Sequence, residues 1–184
     1  MSRWNTRSFK VLTVLMVTFC LVSSAAIAGE VESVPTGAFA FTLEAELTAS
    51  PETVWNALTG DISDWWDHSM SGNPSKLFIE ARPGGGFWEI FDDSGDGVRH
   101  AVITYAQRNK TLRMEGPLGL AGHAILMVTT YELEAQGQET TLLKIGVHAS
   151  GEVHPGWPEV VQQTWQHFLF ERFVPYLAGH LDAG

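Results

Sequence analysis

Pro158-Glu159-Val160-Val161-Gln162-Gln163-Thr164-Trp165-Gln166-His167-Phe168-Leu169-Phe170-Glu171-Arg172-Phe173-Val174 is the stretch that decides the fold. Val161, Trp165, Phe168 and Arg172 recur at helical spacing, and Leu169, Phe173 and Tyr176 widen the stripe into an apolar face. The spacing predicts the longest helix of the chain, from Pro158 to about Val174, with Pro175 kinking or ending it. Such a helix must bury its stripe against another element. Upstream, from Lys76 onward, the residues alternate as strands near 76–82, 86–92, 98–106, 110–115, 122–134 and 139–150. Short turn-forming connections separate them, among them Pro83-Gly84-Gly85 and Gln136-Gly137, so sequence neighbours pair antiparallel.

An earlier strand, Phe39 to Leu47, alternates in the same way. Ser50 then caps a helix with Pro51 in its first turn, carrying Val54, Trp55 and Leu58 before Gly60 stops it. A second short helical turn is expected from Asp61 through Trp66. The expectation is therefore an α+β domain: a curved antiparallel sheet of about seven strands gripping one long C-terminal helix, with two short helices after the first strand.

Composition bounds the rest. The chain has 184 residues, 45% of them hydrophobic and 17% charged, a globular mixture that suits one domain. A net charge of −10 supplies no basic stripe for nucleic acid, and one cysteine excludes a disulfide scaffold. The first residues read as a signal peptide: Arg3, Arg7 and Lys10, the apolar run Val11–Val22, then Ala26-Ile27-Ala28. An uncleaved anchor is the alternative, but the apolar run is short for a membrane span. The residues before Cys20 lack the small side chains of a lipidation site. Cleavage near Ala28 removes the cysteine and three basic residues, taking the charge to −13. Residues 29–38 form a polar lead-in and 39–180 the domain.

Three places resemble the helix-grip START/SRPBCC superfamily, which includes the birch-pollen-type allergens. Thr48 to Leu58 is similar to its opening strand-to-helix signature. Glu80 to Glu89, through Gly84-Gly85-Gly86-Phe87-Trp88, resembles the Gly-Gly-x-aromatic-aromatic-Glu hairpin of the polyketide cyclase-like or heat-shock-protein ATPase activator-like branch. Thr129 to Glu134 and Thr140 to Leu143 match that branch's last hairpin. The resemblance implies a hydrophobic cavity between sheet and long helix. It implies no single reaction, because carriers, cyclases and co-chaperones share the fold.

The other motifs point away from cofactor and metal chemistry. Gly84-Gly85-Gly86 leads into a strand, so it reads as a hairpin and not a phosphate cradle. Asp92 to Gly97 lacks the glutamate of a calcium loop. No two of the seven histidines have the i, i+2 or i, i+4 spacing that aims two rings at one ion, so neither metal nor cofactor is expected. No Gly-x-Ser-x-Gly elbow or cysteine nucleophile is available, and His148 with Ser150 lacks an orienting third group.

Two ionisable residues are candidates for acid–base work. Glu89 lies in an apolar strand, where burial would raise its pKa; alternatively it sits at a cavity mouth or on the outer face, paired with Arg82 or Arg99. His123 shares parity with Ile125, Met127 and Tyr131 and so is placed on the inner face, as catalyst or rim residue. Trp66, Phe87 or Trp88, Tyr105, Met114, Met127, Tyr131, Trp165 and Phe168 are the expected cavity lining, richer in aromatic and thioether groups than an ordinary core.

Two functions from different classes follow. One is an exported soluble carrier or sensor of a small hydrophobic or amphipathic molecule. The other is a cyclase- or hydratase-type cavity enzyme using Glu89 or His123. The carrier reading is favoured because no converging pair of ionisable residues is evident, and a chaperone partner in the cytoplasm is at odds with the leader. The acidic surface also disfavours docking to anionic lipid. Protein exported by the native host should lack residues 1 to about 28; intact-mass measurement of a full-length chain in membranes would overturn this localisation.

Overall fold

The computed structural model describes residues 30–182, with a compact unit that begins at Val34. The leader read at residues 1–28 lies outside the described residues. Strand β1 (Thr36–Leu47) opens the domain and starts earlier than Phe39, because Thr36 and Gly37 still pair with Glu152 and Gly151. Helix α1 (Pro51–Leu58) follows, capped by Ser50, whose hydroxyl accepts the Thr53 N–H at 3.3 Å.

The second short helix is not formed. Gly60, at φ +76°, leads instead into a two-residue strand β2 (Gly60–Asp61). The Asp61 carboxylate then captures the Ser63 N–H at 3.0 Å and its hydroxyl at 2.7 Å, a local bond that competes with helix propagation. What remains is one turn, in which the Trp65 and Trp66 N–H groups donate to the Ile62 carbonyl. Strands β3 (Lys76–Ile79), β4 (Gly86–Ile90), β5 (Gly97–Gln107), β6 (Thr111–Gly116), β7 (Ile125–Ala135) and β8 (Thr141–Glu152) complete a sheet of eight strands rather than seven. Neighbours pair antiparallel in the order β1-β8-β7-β6-β5-β4-β3-β2, so the first strand closes against the last.

The Gly84-Gly85-Gly86 turn is a steric device, as the hairpin reading requires. Gly84 adopts φ +78°, and a β-carbon would strike the Glu80 carbonyl at Gly85 and the Trp88 indole at Gly86. Two bulges interrupt β5. Phe87 pairs with Ala101 and Trp88 with Arg99, leaving His100 unpaired; Ile103 pairs with Met114 and Tyr105 with Arg113, leaving Thr104 unpaired.

The C-terminal helix grips the concave face. It runs as α2 (Trp157–Gln166), a π-helical segment His167–Phe173, and α3 (Val174–Asp182). Pro175 does not end it. The Val174 N–H bonds to the Leu169 carbonyl five residues back, so the wider π register precedes the proline, which then sits in the first turn of α3. Trp165, Phe168, Leu169, Phe173 and Leu177 are buried along the stripe. Phe168 stacks on Trp66 with ring centroids 3.9 Å apart, and Trp65 meets Phe173 edge-on at 5.0 Å. Phe168→Ala should therefore cost about 3–5 kcal/mol in urea denaturation; wild-type stability would show that this face is not the gripped one.

Candidate functional site

The aromatic packing of the helix is incomplete at one end of the sheet, and there it leaves a cavity of about 300 Å³. Trp66 and Phe168 form one wall, Phe87 and Met127 rise from the sheet, and Trp165 with Val161 and Thr164 lines the helix side. Leu118 and Leu120, in the 3₁₀ turn after β6, close a further side. Met70 and Val160 line the cavity and are themselves exposed, so they rim its opening.

Five of the side chains expected in the lining are there: Trp66, Phe87, Met127, Trp165 and Phe168. The others are elsewhere, each for a local reason. Trp88 alternates to the outer face, where its indole N–H donates to Glu80 at 2.9 Å. Tyr105 is turned outward by the bulge at Thr104 and lies under the Arg113 guanidinium. Met114 is fully buried core beside Ile103, and Tyr131 borders a separate void of about 10 Å³ deeper under the helix. Leu118, Leu120, Val160 and Val161 were not anticipated. The first two belong to a turn, and the valines lie in the first turns of α2.

The polar part of the site is built on Glu89. It is fully buried, and neither Arg82 nor Arg99 pairs with it. Instead its carboxylate accepts the Met70 N–H at 2.9 Å, the Ser71 N–H and hydroxyl at 2.8 Å each, and the His100 Nε2–H at 2.9 Å. Burial alone would raise its pKa; these four donors outweigh that and hold the carboxyl below the usual glutamate value, opposite to the direction expected from the sequence. Glu89 is thus a fixed anion, closed off from the cavity and unsuited to donating a proton.

His100 takes the place intended for Glu89. The bulge that leaves it unpaired turns it inward beside Ala101, so it is 5% exposed and its ring joins the cavity wall, 4.9 Å from Phe87. With Nε2 committed to Glu89, its Nδ1 makes no hydrogen bond with the described residues. Among the described residues the lining holds a second imidazole, His68, but that ring is exposed, whereas His100 is buried. The carboxylate–imidazole pair fixes the ring's tautomer, leaving Nδ1 an acceptor for a hydroxyl or amine, or for a proton.

His123 is not on the inner face. It precedes β7, is exposed, and donates from Nδ1 to Glu152 at 2.8 Å. Glu152 also accepts from His154 Nε2 at 2.8 Å and from the Ala124 N–H at 3.1 Å; together these hold its pKa down to about 2. At the cavity mouth, Asp67 accepts from His68, His167 and Arg172, and His167 reaches Glu171 through its other ring nitrogen. Bonds to Asp67 first and Glu171 second raise the His167 pKa.

An antiparallel sheet closed on one long helix around an apolar cavity defines a helix-grip, START-type protein. The family model for activator of Hsp90 ATPase homolog 1-like protein matches residues 48–178, and the chain belongs to that family. No curated protein matches it in sequence. Among solved structures it is similar to a protein of unknown function from Staphylococcus aureus, with TM-score 0.60 and 12% identity over 81% of this chain and 98% of that one. A protein from Chromobacterium violaceum is similar at TM-score 0.53 and 21% identity, over 75% and 96% of the two chains. Another from Mesorhizobium loti has TM-score 0.55 and 21% identity, over 77% and 98%.

Glu89→Gln would turn an amide N–H₂ toward donors that now meet an anion, and should cost about 1–3 kcal/mol near neutral pH. Because the folded pKa of Glu89 is lowered, its contribution is present above the ordinary glutamate pKa and is lost as pH falls through the folded value. The gap between wild type and variant, measured by denaturation across pH, should narrow on acidification; a pH-independent gap would contradict an ionised Glu89.

Proposed function

We propose that the protein is an exported, soluble binding protein that holds a small hydrophobic or amphipathic molecule between the sheet and the C-terminal helix. The observation that carries this is the cavity itself: about 300 Å³, walled by Trp66, Phe87, Met127, Trp165 and Phe168, with the His100 ring as its deep polar point. That is the lower end of the usual range for small-molecule sites, and it fits a ligand of one or two rings. An apolar body would bury against the aromatic walls while one hydroxyl or amine meets His100. Export rests on the leader at residues 1–28. Among the described residues no helix is long and apolar enough to cross a membrane. The activity in the family's name needs an Hsp90 partner, which an exported chain would not meet.

A second reading is favoured by one specific observation, the Glu89–His100 pair. A histidine oriented by a buried carboxylate, with its other nitrogen free of protein partners among the described residues in an apolar cavity wall, is equipped to take and return a proton, as a cyclase or hydratase requires. In that reading the acid–base role belongs to His100, with Glu89 orienting it and His123 uninvolved.

N-Phenyl-1-naphthylamine, an apolar probe with a phenyl and a naphthyl group joined by one amine, should bind the folded protein with a saturable single-site isotherm and quench Trp66 and Trp165. Met127→Trp, filling the cavity, should weaken binding at least tenfold while costing roughly 1–3 kcal/mol of stability. Binding that does not saturate, or is indifferent to Met127→Trp, would remove the carrier reading.

A further inference from the structure

We propose that His123, Glu152 and His154 form a binding site for a divalent transition metal of the zinc class, outside the cavity and independent of its ligand. The site is a product of the fold, since the three residues come from the loop before β7 and from the end of β8. β8 alternates regularly until Gly151, whose φ of +123° breaks the pleat. Glu152 is thereby turned inward, and His154 follows on the same side. A β-carbon at Gly151 would strike the Ala124 carbonyl, so the close approach of the two segments depends on glycine.

The donor set suits zinc. His123 Nδ1 and His154 Nε2 each lie 2.8 Å from the same oxygen, Glu152 Oε1, and the three ligand atoms lie within 4.8 Å of one another. Around a tetrahedral ion with bonds of about 2.0–2.2 Å, ligand atoms stand roughly 3.4 Å apart, so each ring nitrogen needs to withdraw from the carboxylate oxygen by about 0.6 Å. Two imidazoles and one carboxylate leave the fourth position open to water or to a further ligand. Support behind the ligands is already in place. The Ala124 N–H holds the second carboxylate oxygen at 3.1 Å, and Trp157 packs against both rings, 4.9 Å from His123 and 4.7 Å from His154. Glu152 is buried while both rings are partly exposed, so an ion can enter from solvent.

The contrast with the cavity mouth sharpens the assignment. Asp67, His68 and His167 are equally close, but Arg172 already lies 3.3 Å from Asp67, and His167 is held at both nitrogens. A cation entering there would meet a guanidinium and have to break a neutralised network. No lysine or arginine among the described residues pairs with Glu152. On binding, each ring gives up the N–H it now points at Glu152, moving that proton to its other nitrogen when neutral or releasing one when protonated, and the carboxylate stays bonded to the ion. The site lies beside two cavity walls, the Leu118–Leu120 turn and the start of α2, so a bound ion would tie them together.

The test uses the full chain without a histidine tag, stripped with chelator and titrated with zinc by calorimetry and with cobalt(II) by visible absorption. One equivalent should bind saturably, more tightly at pH 8 than at pH 6, with a cobalt spectrum in the tetrahedral or five-coordinate range. His123→Ala and His154→Ala should each weaken zinc at least tenfold, Glu152→Gln likewise, and His167→Ala should leave it unchanged. Should a variant fail to fold, histidine NMR of the wild-type protein decides: zinc should move the His123 and His154 rings and leave His68 and His167 in place. Absence of saturable binding, binding that survives loss of both His123 and His154, or zinc shifts confined to His68 and His167 would overturn the assignment.

Discussion

A buried carboxylate with four donors organises the functional end of this molecule. Glu89 has no exposed surface, and an uncompensated carboxylate in such a place would cost several kcal/mol. It is tolerated because the Met70 and Ser71 amides, the Ser71 hydroxyl and His100 all converge on it. Those contacts do two things at once. They fasten the loop that carries Met70, one rim of the cavity, to strand β4, and they fix the orientation of His100. Mouth and polar point of the cavity are therefore set by one interaction, which is why an anion at this position does structural work and leaves the chemistry to its partner.

The cavity itself results from competition between packing and curvature. Where Trp65, Phe173 and Leu177 meet the sheet, the stripe of the helix is buried without gaps of consequence. Nearer its N-terminal end the helix presents Val160, Val161 and Thr164, smaller side chains that line the cavity. Trp66 bridges the two regimes, stacking on Phe168 and meeting Phe87 and Trp165 edge-on. The π-helical segment beneath it carries Phe168, Leu169 and Phe173, all three buried.

Much of this was legible in the residues. The alternation of β7 and β8, the Ser50-Pro51 helix start and the aromatic stripe from Trp165 onward place the sheet and the helix, and with them five of the cavity's walls. The errors concentrate where regular alternation is broken. Both bulges lie in β5, and neither leaves a mark in the sequence: the first brings His100 in, the second sends Tyr105 out. Gly151 is a third break, and there a glycine was visible as a signal, although its effect on Glu152 depends on a positive φ that composition does not reveal. The direction of the Glu89 shift was missed for a different reason. Burial could be read from the strand, but the compensating donors come from a loop 18 and 19 residues earlier, which periodicity does not reach.

The claim on which everything else depends is that the space under Trp66 is a formed binding site with His100 as its polar contact. Crystal structures of the protein alone and with N-phenyl-1-naphthylamine test it most directly. The same open cavity is expected in both, with the probe's rings between Phe168 and Met127 and its amine within hydrogen-bond distance of His100 Nδ1. A free structure in which Trp66 and Phe168 fill the space, or a probe seated on the outer surface, would contradict it.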